Sequence, residues 1–243
     1  MTSQPGPPEN RDDSPFDPAD PTRPARAPTP KDAATLILIR RTRSGPEVLM
    51  GQRSKGHVFM PDKWVFPGGG VDRTDGLAGA ATELHPETDE KLRLHNRRRA
   101  PRAFALAAVR ETFEEAGLIV GRRGARGPAP TGWAEYCAHD AAPELHKLAF
   151  ICRAITPPYR PRRFDARFFL ADAEDVLLDD RPIAGGEELL DTRWFSFEEA
   201  EKLDLPSVTR FVIGEVRARL AGETSEGPPF LRWTRTGHRM DRL

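Results

Sequence analysis

Cysteine is scarce in this chain of 243 residues: there are two, Cys137 and Cys152. They lack metal-ligand spacing and are too few for a disulfide framework, which excludes a disulfide-stapled fold and fits a reducing cytosol. Long apolar runs are missing as well. No stretch approaches the roughly 18 residues that span a bilayer, and the first residues hold no apolar segment of the secretory type. The expectation is a cytoplasmic protein without membrane contact. Charge of one sign is not in excess either, because 37 Lys and Arg stand against 37 Asp and Glu. With no global field to draw nucleic acid or an anionic surface, any anion must be bound locally.

Proline, by contrast, is abundant, with 24 residues. Residues 1–31 are rich in Pro, Asp and Arg and nearly free of apolar side chains, so they cannot repay the entropy of ordering and are expected to be a disordered tail. Residues 32–220 carry the pattern of one domain. Ala34–Ile39 reads as a buried strand and Val48–Arg53 as its hairpin partner across a Ser44-Gly45-Pro46-Glu47 turn. Further strands are expected at Lys147–Ile155, Phe164–Leu170 and Glu188–Phe195. Ser196 with Glu199 three residues on forms a capping box, and Val208, Phe211, Val212, Val216 and Leu220 mark a final amphipathic helix. Residues 221–243 read as a polar tail in which Phe230, Leu231 and Trp233 can dock on the domain or a partner. Strands, helix, strands and two helices make a mixed α/β order, a sheet covered on both faces.

Chemistry concentrates in Arg110-Glu111-Thr112-Phe113-Glu114-Glu115-Ala116-Gly117-Leu118. Leu106, Val109 and Phe113 recur at helical intervals, so Glu111, Glu114 and Glu115, at i, i+3 and i+4, crowd one face of a helix that Gly117 ends. Such a face repels itself unless a cation neutralises it, and hard divalent ions prefer carboxylate oxygens. The plainer reading is a solvated acidic surface, which suits Glu198 and Glu199. Upstream, Trp64-Val65-Phe66-Pro67-Gly68-Gly69-Gly70-Val71-Asp72 is a short apolar strand running into glycines that let backbone approach a ligand closely.

Together the two stretches resemble the Nudix box of the Nudix hydrolases. Gly69 fits the opening glycine, and Arg110 to Leu118 fits the second half at its fixed positions, with Thr112 in a slot that is usually apolar. The middle departs. Asp75 stands where the family has Glu, and Arg110 follows it by 35 residues where eight is usual, so about 27 residues, roughly 76–101, are inserted inside the box. Asp75, Asp72 and Glu83 are all candidates for the acid that pairs with Arg110. The insertion suggests a short helix, a break and a second helix or loop. Its Arg97, Arg98, Arg99 and Arg102 can contact phosphate or simply be solvated.

The resemblance implies an α/β/α sandwich with a mixed β-sheet and metal-dependent diphosphate hydrolysis. It implies Mg²⁺ or Mn²⁺ on Glu111, Glu114, Glu115 and the Gly69 carbonyl, with Arg110 orienting the carboxylates. Glu114, Glu115 and Glu188 are the catalytic acids and bases to weigh, and Arg53, Arg163 and Arg167 the substrate-phosphate candidates. The split box, with Thr156-Pro157 and Arg163–Phe169, is similar to the branch that splits coenzyme A and acyl-coenzyme A. The expected partner is a small nucleoside diphosphate derivative, and a homodimer is compatible with the reading. Two alternatives stand beside it: a pyrophosphatase for ADP-ribose, dinucleotides or nucleotide sugars, and a catalytically silent ligand sensor.

Overall fold

The computed structural model of the chain describes residues 26–54, 56, 60–96, 99–124, 127–223, 227–234 and 237–243. Most of the expected N-terminal tail, together with Arg97 and Arg98, lies outside them. The strands are β1 (Lys31–Thr42), β2 (Gly45–Arg53), β3 (Trp64–Val65), β4 (Gly68–Gly70), β5 (Arg122–Arg123), β6 (Ala141–Ala142), β7 (Ala149–Ile155), β8 (Phe164–Asp172), β9 (Leu189–Ser196), β10 (Pro229–Thr234) and β11 (Gly237–Arg242). The helices are α1 (Pro86–Arg93), α2 (Pro101–Ala116), α3 (Ala134–Cys137), α4 (Ala173–Val176), α5 (Phe197–Ala200) and α6 (Ser207–Leu220).

Among the described residues, nine strands form one sheet in the order β11-β10-β7-β8-β1-β2-β3, with β4 also on β1 and β9 also on β2. The sheet is mixed: β1 runs parallel to β8 and β10 parallel to β7, whereas the other pairs are antiparallel. Its centre is set by β1, whose continuous apolar run is the mark of a strand buried on both faces. Side chains alternate across a strand. Leu36 and Leu38 therefore enter the core under α2, while Ile37 and Ile39 enter the opposite core under α6. This is the α/β/α sandwich expected from the sequence. The capping box forms too, with the Glu199 amide donating to Ser196 Oγ and the Ser196 amide to Glu199 Oε2.

One region differs from expectation. The 221–243 segment is not simply a tail, because β10 and β11 join the sheet edge through β7. Phe230 and Leu231 are buried, one on each face, and the Arg153 guanidinium lies 4.4 Å from the Phe230 ring centroid. A strand of six residues that opens on Pro229 and is broken by Arg232 escapes a search for longer apolar runs. In the insertion the expected short helix is α1, and after residues 94–100 the chain enters α2, which Pro101 starts at its first turn, where a missing N–H costs nothing. Arg102 closes the insertion by donating to Glu83 and to the carbonyls of Gly76 and Ala78.

Removing the β10–β11 hairpin, by ending the chain at residue 223, exposes the sites that Phe230 and Leu231 fill. At about 1.5–3 kcal/mol per buried large apolar side chain, the truncated protein is expected to lose about 3–6 kcal/mol in urea denaturation.

Candidate active site

Arg110 organises the site. It sits on α2 with 5 % of its surface exposed, and a cation so deep must be paired and hydrogen-bonded to persist. Its Nε donates to Asp75 Oδ1 at 2.8 Å and its Nη2 to Asp75 Oδ2 at 3.2 Å. Nη2 also donates to the Gly70 carbonyl at 2.9 Å, and Nη1 reaches Glu114 Oε2 at 2.9 Å and Glu111 Oε1 at 3.0 Å. Burial lowers the Arg110 pKa, but the Asp75 hydrogen bonds and the neighbouring carboxylates more than offset this, and the guanidinium stays charged.

Of the three acids the sequence offered as partner, Asp75 is the one. It is fully buried and accepts from the Trp133 indole N–H at 3.0 Å and the Asp72 amide at 2.8 Å. Glu83 is taken by Arg102 instead. Thr112, in a slot that resembled an apolar one, is buried because its hydroxyl donates to the Ala108 carbonyl one turn back.

Glycine is required at the corner. A Cβ on Gly69 would lie 2.5 Å from the Glu111 carboxylate, and one on Gly68 2.6 Å from the Ala34 carbonyl. The bare backbone lets the Gly68 amide donate to Glu115 Oε2 at 2.8 Å, which fixes β4 against α2. Gly117 adopts φ +68° and ends α2, its amide donating to the Phe113 carbonyl. Beyond it, the Ala184 amide bonds the Ala116 carbonyl and the Gly186 amide the Glu115 carbonyl, so the loop leading to Glu188 is held at the C-terminal end of α2. Glu188 is exposed just ahead of β9 and acts electrostatically on both Glu111 and Glu115.

Burial is the largest influence on the three helix acids. It pushes Glu111 up to about 7 and Glu115 up to about 8, and it raises Glu114, although Arg110 opposes the rise at Glu111 and Glu114 and the Gly68 amide opposes it at Glu115. All the donors here are carboxylate or carbonyl oxygens, the set a hard divalent cation takes. Among the described residues, no three Asp, Glu, His or Cys side chains already surround a single point. The partners named above engage one oxygen of each acid, namely Glu111 Oε1, Glu114 Oε2 and Glu115 Oε2. The donor chemistry fits a divalent ion even though a ligand cage is not preassembled.

A cleft with about 180 Å³ of internal space opens beside Gly68 and Gly69. Arg53 lines it at that end. Burial lowers the Arg53 pKa while the charges of Glu115, Glu188 and Glu111 raise it, so Arg53 lines the cleft within electrostatic reach of the acids. Arg163 and Arg167, expected at a substrate phosphate, are committed elsewhere. Arg163 clamps the 156–163 loop by donating to the Thr156 and Pro28 carbonyls. Arg167 is 2 % exposed, paired with Asp32 and Asp165 at 3.1 Å and stacked 4.0 Å from the Phe104 ring centroid, so it packs the sheet on α2. Arg99 is similarly used, on Asp32 and the Asp72 carbonyl. Sequence reasoning missed Trp133 and, as a cleft-lining residue, Arg160.

No family model matches the chain. Curated proteins do match. Over 164 residues it is 33 % identical to a Caenorhabditis elegans protein that bears the name nudix hydrolase 7, covering 63 % of this chain and 46 % of that one. Over 179 residues it is 31 % identical to the human acyl-coenzyme A diphosphatase NUDT19, covering 52 % of this chain and 48 % of that one. The chain thus spans under half the length of these relatives. Among solved structures, a NUDIX hydrolase from Alicyclobacillus acidocaldarius superimposes with a TM-score of 0.58 at 26 % identity, covering 81 % of this chain and 96 % of that one.

Two outcomes test this geometry. Asp75→Asn leaves a buried guanidinium under-neutralised and is expected to cost about 3–5 kcal/mol in denaturant unfolding. For pH, the raised Glu111 and Glu115 values mean that the folded chain keeps protons that the unfolded chain has released, from the ordinary carboxylate range up to about 8. Their contribution to stability therefore falls as pH rises through that window. Melting curves of metal-free protein from about pH 5 to about pH 9 are expected to show a decline that Glu111→Gln and Glu115→Gln each reduce.

Proposed function

We propose that this chain, which belongs with the Nudix hydrolases in sequence and fold, is a metal-dependent hydrolase. It would cleave the diphosphate bond of a nucleoside diphosphate linked to another moiety, with coenzyme A or an acyl-coenzyme A as the leading substrate. The observation that carries the reading is Arg110 holding Glu111 and Glu114 on one helical turn, with Glu115 tied to the Gly68–Gly69 corner where a cleft opens. The similarity to the human acyl-coenzyme A diphosphatase supports the choice of substrate.

In this reading Glu111, Glu114, Glu115 and the Gly69 carbonyl hold Mg²⁺ or Mn²⁺. Such an ion, when bound, neutralises phosphate oxygens, lowers the pKa of water and stabilises the departing phosphate. The remaining demand of phosphoryl transfer is positioning and charge, and here the chain's own groups act. Arg110 fixes the rotamers of Glu111 and Glu114. On this proposal Arg53 meets a phosphate oxygen and Glu188 accepts a proton from the attacking water. The water oxygen bonds to phosphorus, the bridging P–O bond breaks, and two phosphate monoesters leave. No Ser or Cys nucleophile is needed. Cys152 is buried, and burial raises its thiol pKa well out of the reactive range.

The test is a panel of diphosphates, comprising coenzyme A, octanoyl-coenzyme A, ADP-ribose, a dinucleoside polyphosphate and a nucleotide sugar, each with Mg²⁺ and with Mn²⁺. The native chain is expected to cleave coenzyme A compounds fastest, and Glu115→Gln to lower kcat by at least about a hundredfold, the low end for loss of a positioned acid–base group. Cleavage of ADP-ribose with coenzyme A untouched would overturn the substrate choice. Tight binding without any cleavage would favour a sensor.

A further inference from the structure

The cleft beside Gly68 and Gly69 is longer than a diphosphate needs. It runs across the sheet, and the strand register gives its course. Gly69 on β4 pairs with Ala34 on β1; next to it on β1, Ala33 pairs with Ala166 on β8, Ala166 with Ala154 on β7, and Ala154 with Leu231 on β10. Four inter-strand steps at ~4.8 Å each make a floor roughly 19 Å long. Ala33, Ala166 and Ala154 keep that floor low, and Phe168 and Val208 stand along it. The hydroxyl-bearing residues Thr35, Ser207 and Thr209 are set among these apolar groups.

The far end is made by the C-terminal hairpin. Trp233 on β10 faces its cross-strand partner His238 on β11, ring centroids 4.5 Å apart, and meets Tyr159 edge-on at 5.4 Å. His238 and Arg160 line the cleft at this end. One end of the cleft therefore lies at the Gly68–Gly69 corner beside the acids and the other at His238, whose ring is backed by Trp233 and, behind it, Tyr159, with small apolar residues between the two ends.

We infer that this cleft takes the long linear arm of a coenzyme A thioester, with the diphosphate at Gly68–Gly69 and the acyl group meeting the lip that His238 forms, backed by Trp233 and Tyr159. The inference rests on the diphosphatase reading and deepens it. An extended chain covers about 3.3–3.6 Å per three backbone bonds, so roughly 19 Å asks for about sixteen bonds in line. A sugar attached to a diphosphate is one ring long and would leave most of the floor uncovered. A pantetheine arm carrying an acyl group has the length, the slenderness that an alanine floor admits, and two amides for the hydroxyls along the way. The β10–β11 hairpin then sets substrate choice and takes no part in the bond cleavage.

The experiment narrows the channel and reads selectivity. Ala166→Leu fills the floor midway, and Trp233→Ala opens the lip. In the full-length protein, kcat and KM are measured for octanoyl-coenzyme A and ADP-ribose, with melting temperatures as the check on folding. Ala166→Leu is expected to lower the ratio of kcat/KM for octanoyl-coenzyme A over that for ADP-ribose by at least tenfold, mainly through KM. Trp233→Ala is expected to flatten the dependence of KM on acyl chain length from acetyl to octanoyl. An equal loss on both substrates in folded Ala166→Leu, together with an unchanged chain-length profile in Trp233→Ala, overturns the inference while leaving the diphosphatase reading intact. Should the native chain cleave none of these diphosphates, the diphosphatase reading is what fails. Calorimetric binding of octanoyl-coenzyme A then decides the cleft: weakening by Ala166→Leu supports the inference, and equal binding by both proteins overturns it.

Discussion

A guanidinium with almost no access to water sets the terms for the rest of this molecule. Taking an ion into the interior costs several kcal/mol, and only well-placed partners return it. Arg110 has Asp75 on two of its nitrogens, a glycine carbonyl on a third bond and two glutamates beside it. Asp75 is in turn held by an indole and an amide. Each of these contacts restricts the rotation of α2 about its axis. The acidic turn consequently points at the glycine corner because the alternative rotations would strand a charge.

That corner also joins the two faces of the sheet. The acids belong to α2, whose core includes Leu36, Leu38 and Phe104, whereas the cleft shares Phe168, Val208 and Leu231 with the core under α6. A side chain on Gly68 or Gly69 would separate them, since each would drive a Cβ into backbone or carboxylate. Bare backbone in β4 lets the Glu111 and Glu115 carboxylates lie against the corner at which the cleft opens. Arg53, at the end of β2, lines the cleft there and feels the charges of Glu115, Glu188 and Glu111.

What the sequence made legible is what local pattern controls. The hairpin of β1 and β2, the acidic helix with its glycine stop, the capping box at Ser196 and the apolar stripe of α6 all follow from spacings of two, three or four residues. The pairing of Arg110 narrowed to three acids and no further, because the choice depends on a turn that buries Asp75 and on Trp133, 58 residues away. Arg167 stayed open for the same kind of reason. Its partner Asp32 lies 135 residues distant, on a strand that pairs in parallel with its own. An arginine among aromatic residues reads equally well as a ligand contact or as a packed cation, and only burial against Phe104 separates the two. The edge hairpin escaped because Pro229–Thr234 is short, opens on a proline and lies in a polar stretch that passes for a tail.

The separation of Asp75 from Arg110 carries a further lesson about what defines such a centre. Lengthening the connecting loop from about eight residues to 35 adds only about 1.3 kcal/mol of closure entropy, since that cost grows with the logarithm of length. Helix α1 and the Arg102 clasp on Glu83, Gly76 and Ala78 give some of it back. Thermodynamically, then, the excursion is a small perturbation, whereas to a ruler laid along the chain it breaks the pattern in half. A constellation of this kind is defined by proximity in space, and the length of chain between its members has little thermodynamic say in whether it forms.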